Sequence, residues 1–253
     1  MSDALFTFGA RTALVTGGSR NIGWAIARRL AQAGLGVAAV ASSRASLAQA
    51  ETQWRAEGLA ISTWECDVSK VDAIDSVLRA IDAQHGSIDI LVNCAGILDL
   101  SSIEDTTEHD WDRVMDINLK GTFFMVQRCL PYLKRGNSPR IINIASNAGR
   151  MGGYANGMSY TASKGGMIAL TYGLARKLAP QGVTVNCVAP GTIESDMSRA
   201  RDSATHAELL ARFPIGRIGT SDEVAHAVCY FASLQSGFTT GAVLDVNGGL
   251  FMG

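Results

Sequence analysis

The chain has 253 residues, 47% hydrophobic and 18% charged, with a formal net charge of −1. That balance excludes a disordered chain and gives no reason to expect nucleic acid or an anionic membrane as partner. No apolar run reaches the roughly 20 residues of a membrane helix, and MSDALFTFGARTALVTGG lacks the basic start and long apolar stretch of a signal peptide. The cysteines (66, 94, 129, 187 and 229) form no CxxC pair, and the histidines (85, 109, 206 and 226) no HxH or HxxxH pair. The cysteines therefore read as small buried hydrophobes, a zinc site is not expected, and the expected compartment is a reducing cytoplasm.

In chain order, short apolar runs predict strands at Thr12–Thr16, Val37–Ala41, Ile61–Cys66, Ile88–Asn93, Arg140–Ala145, Val183–Ala189 and Val243–Val246. Amphipathic stretches between them predict helices at Ile22–Ala33, Ser46–Glu57, Ala73–Gln84, Trp111–Lys134, Tyr160–Ala179 and Glu223–Ala232. Near-continuous apolar strands separated by helices mark a parallel sheet covered on both faces. The expectation is one α/β domain over 1–253, a Rossmann-like doubly wound sheet of about seven strands. Thr192–Phe213 carries no strand pattern. It is either a surface connection or a substrate lid, and its place after a strand end favours the lid.

TGGSRNIG, Thr16–Gly23, follows the first strand and opens the first helix. Small residues there let backbone approach a pyrophosphate, whose charge a helix N-terminus stabilises. Dinucleotide folds that select NAD usually place Asp or Glu about 20 residues on, to bind the ribose 2′-hydroxyl. Between Gly23 and Glu51 this chain has no acidic residue; in the expected place stand Ala41, Ser42, Ser43 and Arg44. With Arg20, these hydroxyls and guanidinium groups suit a 2′-phosphate, so NADP(H) is expected over NAD(H). Further on, Tyr160 and Lys164 lie four apart in SYTASKGG, one helical turn apart on one face. An ammonium so placed stabilises the anionic form of a phenol, and a phenol so tuned, with Ser146 as hydroxyl partner, can move a proton to or from a carbonyl oxygen.

With these residues in view, the chain resembles the short-chain dehydrogenase/reductase family over positions 9–249. The motifs run in family order: TGGSRNIG, CDVS with Asp67, NCAG at 93–96, MDINLKG with Asn118, IINIAS ending in Ser146, YTASK at 160–164, VAPGTIES at 189–195 and TGAVLDVNGG at 240–249. The resemblance implies cofactor contacts from Gly17, Ser19, Arg20, Asn21, Ile22 and Gly23, from Ser42, Ser43 and Arg44, and from Asp67 with Val68 near the adenine. It implies that Asn93, Ala95 and Gly96 support the cleft, and that Pro190, Gly191, Ile193 and Ser195 grip the nicotinamide carboxamide. Tyr160 is implied as the acid–base, Lys164 as the partner that also binds the nicotinamide ribose, Ser146 as the group that polarises the substrate oxygen, and Asn118 as holder of a water linking Lys164 to solvent. Three positions depart from the family pattern: Asn21 for a glycine, Cys94 for an asparagine and Ser195 for a threonine. Asparagine tolerates positive φ, so the glycine turn is expected to survive.

Within the family, PIGRIGTSDEVA at 214–225 and the TGAVLDVNGG ending look most like 3-oxoacyl-acyl-carrier-protein reductases. Sugar, polyol, hydroxy-acid and cyclic-ketone dehydrogenases remain alternatives, and a non-catalytic NADP-binding sensor a remote one. An acyl carrier protein is a candidate partner, with Lys134 and Arg135 as a basic patch, although Gln181 stands where such reductases often carry a basic residue. The resemblance also implies a homotetramer built through the Trp111–Lys134 and Tyr160–Ala179 helices and the last strand.

Overall fold

The computed structural model describes residues 6–153, 156–194 and 210–253. Seven parallel strands form one sheet in the order β3-β2-β1-β4-β5-β6-β7. They are β1 (Thr12–Thr16), β2 (Gly36–Ala41), β3 (Ile61–Glu65), β4 (Ile90–Asn93), β5 (Arg140–Ile144), β6 (Thr184–Pro190) and β7 (Val243–Val246). The connecting helices are α1 (Asn21–Gln32), α2 (Arg44–Ala56), α3 (Val71–His85), α4 (Glu108–Met115), α5 (Gly121–Leu133), the short α6 (Ala148–Met151), α7 (Met158–Leu178) and α8 (Ser221–Ala232).

Alternate strand residues point to opposite faces, and here both faces are dry. Ala13, Val15, Val37 and Ala39 pack on one side against α1, α2 and α8, with Ile26, Leu30, Trp54 and Val228 in the same core. Leu14, Ala38, Val40 and Leu91 pack on the other against α3, α5 and α7, with Leu78, Met125 and Leu174. Local signals set several helix starts. Thr220 and Glu223 form a reciprocal capping box at α8, while Ser43 and Thr107 accept backbone N–H groups at the starts of α2 and α4.

The predicted Trp111–Lys134 helix is not one regular helix. Between α4 and α5 the chain widens into a π turn over Asp116–Lys120, which carries Asn118. Single π turns cluster at functional sites because they re-aim side chains without ending the helix.

The amino ends of the strands are tied by Asp89, which is fully buried. Its carboxylate accepts the backbone N–H groups of Arg11 (2.7 Å), Thr12 (2.9 Å) and Asn137 (2.7 Å) and the Ser87 hydroxyl (3.1 Å). Nearby, the buried Arg140 guanidinium donates to Ser233 O at the carboxyl end of α8 (3.4 Å), where a helix favours a cation. Burial lowers its pKa from the ordinary arginine value.

Candidate active site

Strand order reverses between β1 and β4, and in such sheets the crevice beyond the carboxyl ends at that point takes the ligand. A cavity of about 680 Å³ opens there. At its dinucleotide end lies the glycine turn. A Cβ on Gly23 would run into Gly17 O, so α1 starts flush against the turn only because position 23 is glycine. Asn21 takes the place of the family glycine at φ +47°, the left-handed region that asparagine tolerates. Thr16 stitches the two sides of the crevice by accepting the N–H groups of Cys94 and Ala95, each at 3.1 Å.

Most of the residues singled out in the sequence line this cavity: Gly17, Ser19, Arg20, Asn21, Ile22, Gly23, Ser42, Ser43, Asp67, Val68, Ala95, Gly96, Ser146, Tyr160, Lys164, Pro190, Gly191 and Ile193. Three do not. Asn93 lies beneath the floor, donating to Asn143 Oδ1 (2.9 Å). Asn118 is buried behind Lys164. Arg44 is turned away from the cleft, donating to Thr63 (3.3 Å) and pairing with Glu51 (4.0 Å). Ser195, Met197 and the middle of the predicted lid, 195–209, lie outside the described residues. Thr192, Ile193 and Glu194 before it and Arg212 and Phe213 after it line the cavity. Ser46, which the sequence reading passed over, also lines it, its hydroxyl donating to Ser19 (3.0 Å) at the adenosine end.

At the opposite end the reactive groups are set by a buried network. Lys164 is 4% exposed. Its Nζ donates to Ile144 O (2.8 Å) and sits 5.7 Å from the Tyr160 ring centroid. Asn118 Oδ1 accepts Ile97 N–H (2.8 Å), and its Nδ2 donates to Ile97 O (3.0 Å) and to Ser163 Oγ (3.1 Å). Ser163 in turn donates to Tyr160 O (2.7 Å). The π turn is thereby fastened both to the loop after β4 and to α7, the helix that presents Tyr160 and Lys164. Cys94 lines the cleft, but desolvation pushes its thiol up to about 11, so it is no nucleophile at neutral pH.

A further clamp holds α7. Asp99, in the loop after β4, accepts the Ser159 hydroxyl (2.5 Å) and the Ser101 N–H (2.9 Å), and its backbone O accepts Gly157 N–H (2.8 Å). A Cβ on Gly157 would collide with the Asp99 carboxylate. Chiefly the Ser159 hydrogen bond, then that of Ser101 N–H, holds the Asp99 carboxyl below the usual carboxylate range. Ser159 adjoins Tyr160, so the clamp fixes the first turn of the helix that carries the phenol.

The residues present fit a dinucleotide. Gly17 and Gly23 let the turn pack against Ala95 and against itself at the mouth of the cavity, no acidic side chain of the described residues lines the cavity at the end of β2, and Tyr160 and Lys164 line the same space.

A family model described as enoyl-(acyl-carrier-protein) reductase matches residues 17–251. The curated 3-oxoacyl-[acyl-carrier-protein] reductase FabG of Staphylococcus epidermidis is 39% identical over 245 residues, 96% of this chain and 99% of its own. Its counterpart in Vibrio cholerae is 40% identical, with 96% and 98% covered. The acetoacetyl-CoA reductase of Allochromatium vinosum is 39% identical, with 96% and 99% covered. The crystal structure of gox2181 superposes with a TM-score of 0.90 at 33% identity, over 96% of each chain. The chain belongs to the short-chain dehydrogenase/reductase family. It is an oxidoreductase that works with a nicotinamide cofactor on alcohol and ketone groups.

Proposed function

We propose that the protein is an NADP(H)-dependent reductase of 3-oxoacyl thioesters, acting in the cytoplasm as a single-domain subunit of a homotetramer. The observation that carries the reading is the convergence of Ser146, Tyr160 and Lys164 on one cavity, beside the names of the relatives. When bound, the nicotinamide supplies the hydride equivalent; the remaining work falls on the chain. Ser146 orients the carbonyl oxygen and stabilises the charge that grows on it. Tyr160 gives that oxygen its proton, and Lys164 faces the phenol as a fixed cation. A hydroxyl pair aimed at an oxygen suits reduction of a carbonyl better than of a carbon–carbon double bond.

The NADP(H) reading rests on Arg20, exposed at the cleft, and on the hydroxyls of Ser42, Ser43 and Ser46 at the start of α2, whose first turn has no acidic residue. Gly17, Gly23 and Asp67 serve the dinucleotide, and Pro190, Gly191, Ile193 and Ser195 the carboxamide. The carrier-protein reading rests on the names of the relatives. On the surface in question, Arg135 is already engaged by both oxygens of Asp82 (3.0 Å each) and lies over Tyr132. That arrangement leaves Lys134 as the charge of the proposed patch that no described residue engages.

For the tetramer, α4, α5 and α7 expose Trp111, Phe123 and Tyr172, and Phe238 and Leu244 stand out near the β7 edge. Large apolar side chains grouped on a few elements mark contact surfaces. Light scattering is expected to give four times the chain mass of 26.7 kDa, and a monomer at micromolar concentration would refute the assembly. The decisive experiment for function is NADPH oxidation across acyl thioesters, cyclic ketones, ketoses and α-dicarbonyls. Short 3-oxoacyl thioesters are expected to give the highest kcat/KM; a cyclic ketone or ketose in first place would replace the reading.

A further inference from the structure

We infer that Asn147 reads a second oxygen on the substrate, placed 1,3 to the carbonyl that is reduced, and so selects 3-oxoacyl compounds over simple ketones. The inference rests on the reading of the cleft as a carbonyl-reducing site and adds a residue to it. Asn147 directly follows Ser146, and its backbone is held from two sides. Its N–H donates to Pro190 O at the end of β6 (2.9 Å), and its carbonyl accepts Arg150 N–H (2.9 Å) and Met151 N–H (3.0 Å) from α6. The side chain is half-buried and lines the cavity beside Ser146 and Tyr160.

Hydrogen bonding fixes which way the amide faces. Ser146 Oγ accepts the Ala148 N–H (3.1 Å) and donates its own proton to Asn147 Oδ1 (3.2 Å). Among the described residues the Asn147 NH₂ group is then left with Met151 Sδ at 3.7 Å, and a thioether is a weak acceptor. A primary amide with two donors and one weak partner, on the wall of a cleft, keeps donor capacity for a ligand. It sits beside the hydroxyl that takes the reacting oxygen. A substrate whose second oxygen lies next to the reacting one would satisfy it. In a 1,3-dicarbonyl the two oxygens can turn to the same side of a three-carbon unit. In a 1,2-dicarbonyl their dipoles favour opposite sides. The donor is neutral, which suits a thioester or ester carbonyl rather than a carboxylate.

The same amide also serves Ser146. While Ser146 points its proton at Oδ1, the Ala148 N–H polarises the hydroxyl, so a substrate oxygen that displaces Oδ1 meets a stronger donor. Asn147 thus holds the hydroxyl until the substrate oxygen takes its place, while its NH₂ group faces the second oxygen.

The test compares methyl 3-oxobutanoate with 2-pentanone, at saturating NADPH, for the unaltered protein, Asn147→Leu and Asn147→Asp. The aspartate keeps the shape and the acceptor for Ser146 and loses the donor; the negative charge it adds beside the reacting oxygen acts on both substrates, so the ratio between them still answers even where the leucine variant fails to fold. The ratio of kcat/KM for the ester over the ketone is expected to fall about fivefold to tenfold in each variant, mostly through KM for the ester. An unchanged ratio overturns the inference. So does an equal loss on both substrates, which would mean that Asn147 only holds Ser146. If the unaltered protein reduces neither compound, the substrate reading falls together with the inference; a preserved ratio removes Asn147 alone.

Discussion

Two carboxylates at opposite ends of the sheet do the same chemistry for different ends. Asp89, at the amino ends, is fully buried and accepts four hydrogen bonds from Arg11, Thr12, Ser87 and Asn137. Asp99, at the carboxyl ends, accepts the Ser159 hydroxyl and the Ser101 N–H beside an open cavity. Both join segments distant in sequence. The amino end is closed by Asp89, so losses there register as stability. The carboxyl end is held open, and there the same kind of bond sets the position of a phenol. A buried carboxylate fastens the fold at one end and aims the chemistry at the other.

The largest effect is expected where aim matters most. Tyr160→Phe should bind NADPH as before while kcat falls roughly 10²–10⁴-fold, the loss typical of a removed acid–base group. Near-normal turnover of that variant would break the assignment of the open end as the reactive one. Asp89→Ala should do the reverse. It strands three backbone N–H groups, two of them on Arg11 and Thr12 at the start of β1, and should lower the unfolding free energy by about 3–5 kcal/mol, read from urea titration. The kcat of the protein that remains folded should change little; a large kcat loss would erase the contrast between the two ends.

Asp99→Ala sharpens the comparison from the other side. A loss of about 1–2 kcal/mol in stability is expected from the orphaned donors. It should come with a kcat reduced by roughly tenfold, NADPH affinity being preserved (fluorescence titration), because Ser159 precedes Tyr160. The Asp99 pKa is depressed in the folded protein. Its contribution is therefore complete above the unfolded carboxylate value of about 4 and is lost as pH falls through the lower folded value. At neutral pH Asp99→Asn should accordingly be weaker than wild type, with the difference narrowing in acid.

At the dinucleotide end, Ala41→Asp with Arg20→Gln should move the NADPH-to-NADH preference by about tenfold toward NADH, since a carboxylate accepts from the 2′-hydroxyl and repels a phosphate. Arg44→Gln alone should matter less, as its guanidinium faces Thr63 and Glu51. The smallest effect belongs to Glu223, whose carboxyl Arg217 and the Thr220 N–H hold down to about 2. Its cap on α8 is complete above an ordinary glutamate pKa and is lost as pH falls below it toward about 2. The pair is exposed, so acid titration of Glu223→Gln against wild type should differ by well under about 1 kcal/mol.

Alternating apolar strands and amphipathic helices, the glycine turn and the Tyr160–Lys164 spacing were legible in the sequence because each is local. A period of two or of 3.6 and a four-residue offset fall inside a single window of chain. All seven predicted strands stand in the structure within a few residues of their expected bounds. What tertiary structure alone decided is every pairing across that window. Asp89 meets Thr12 across 77 positions and Asp99 meets Ser159 across 60. The π turn that lodges Asn118 against Ile97 and Ser163 reads in the sequence as plain helix. Arg44 reads as a phosphate ligand, and in the structure its guanidinium lies by Thr63 on β3 and by Glu51 further along its own helix. The physical reason is that a polar side chain goes to whichever partner the strand order brings within hydrogen-bond reach, and that order is set by burying both faces of the sheet, not by the residues on either side of the side chain itself.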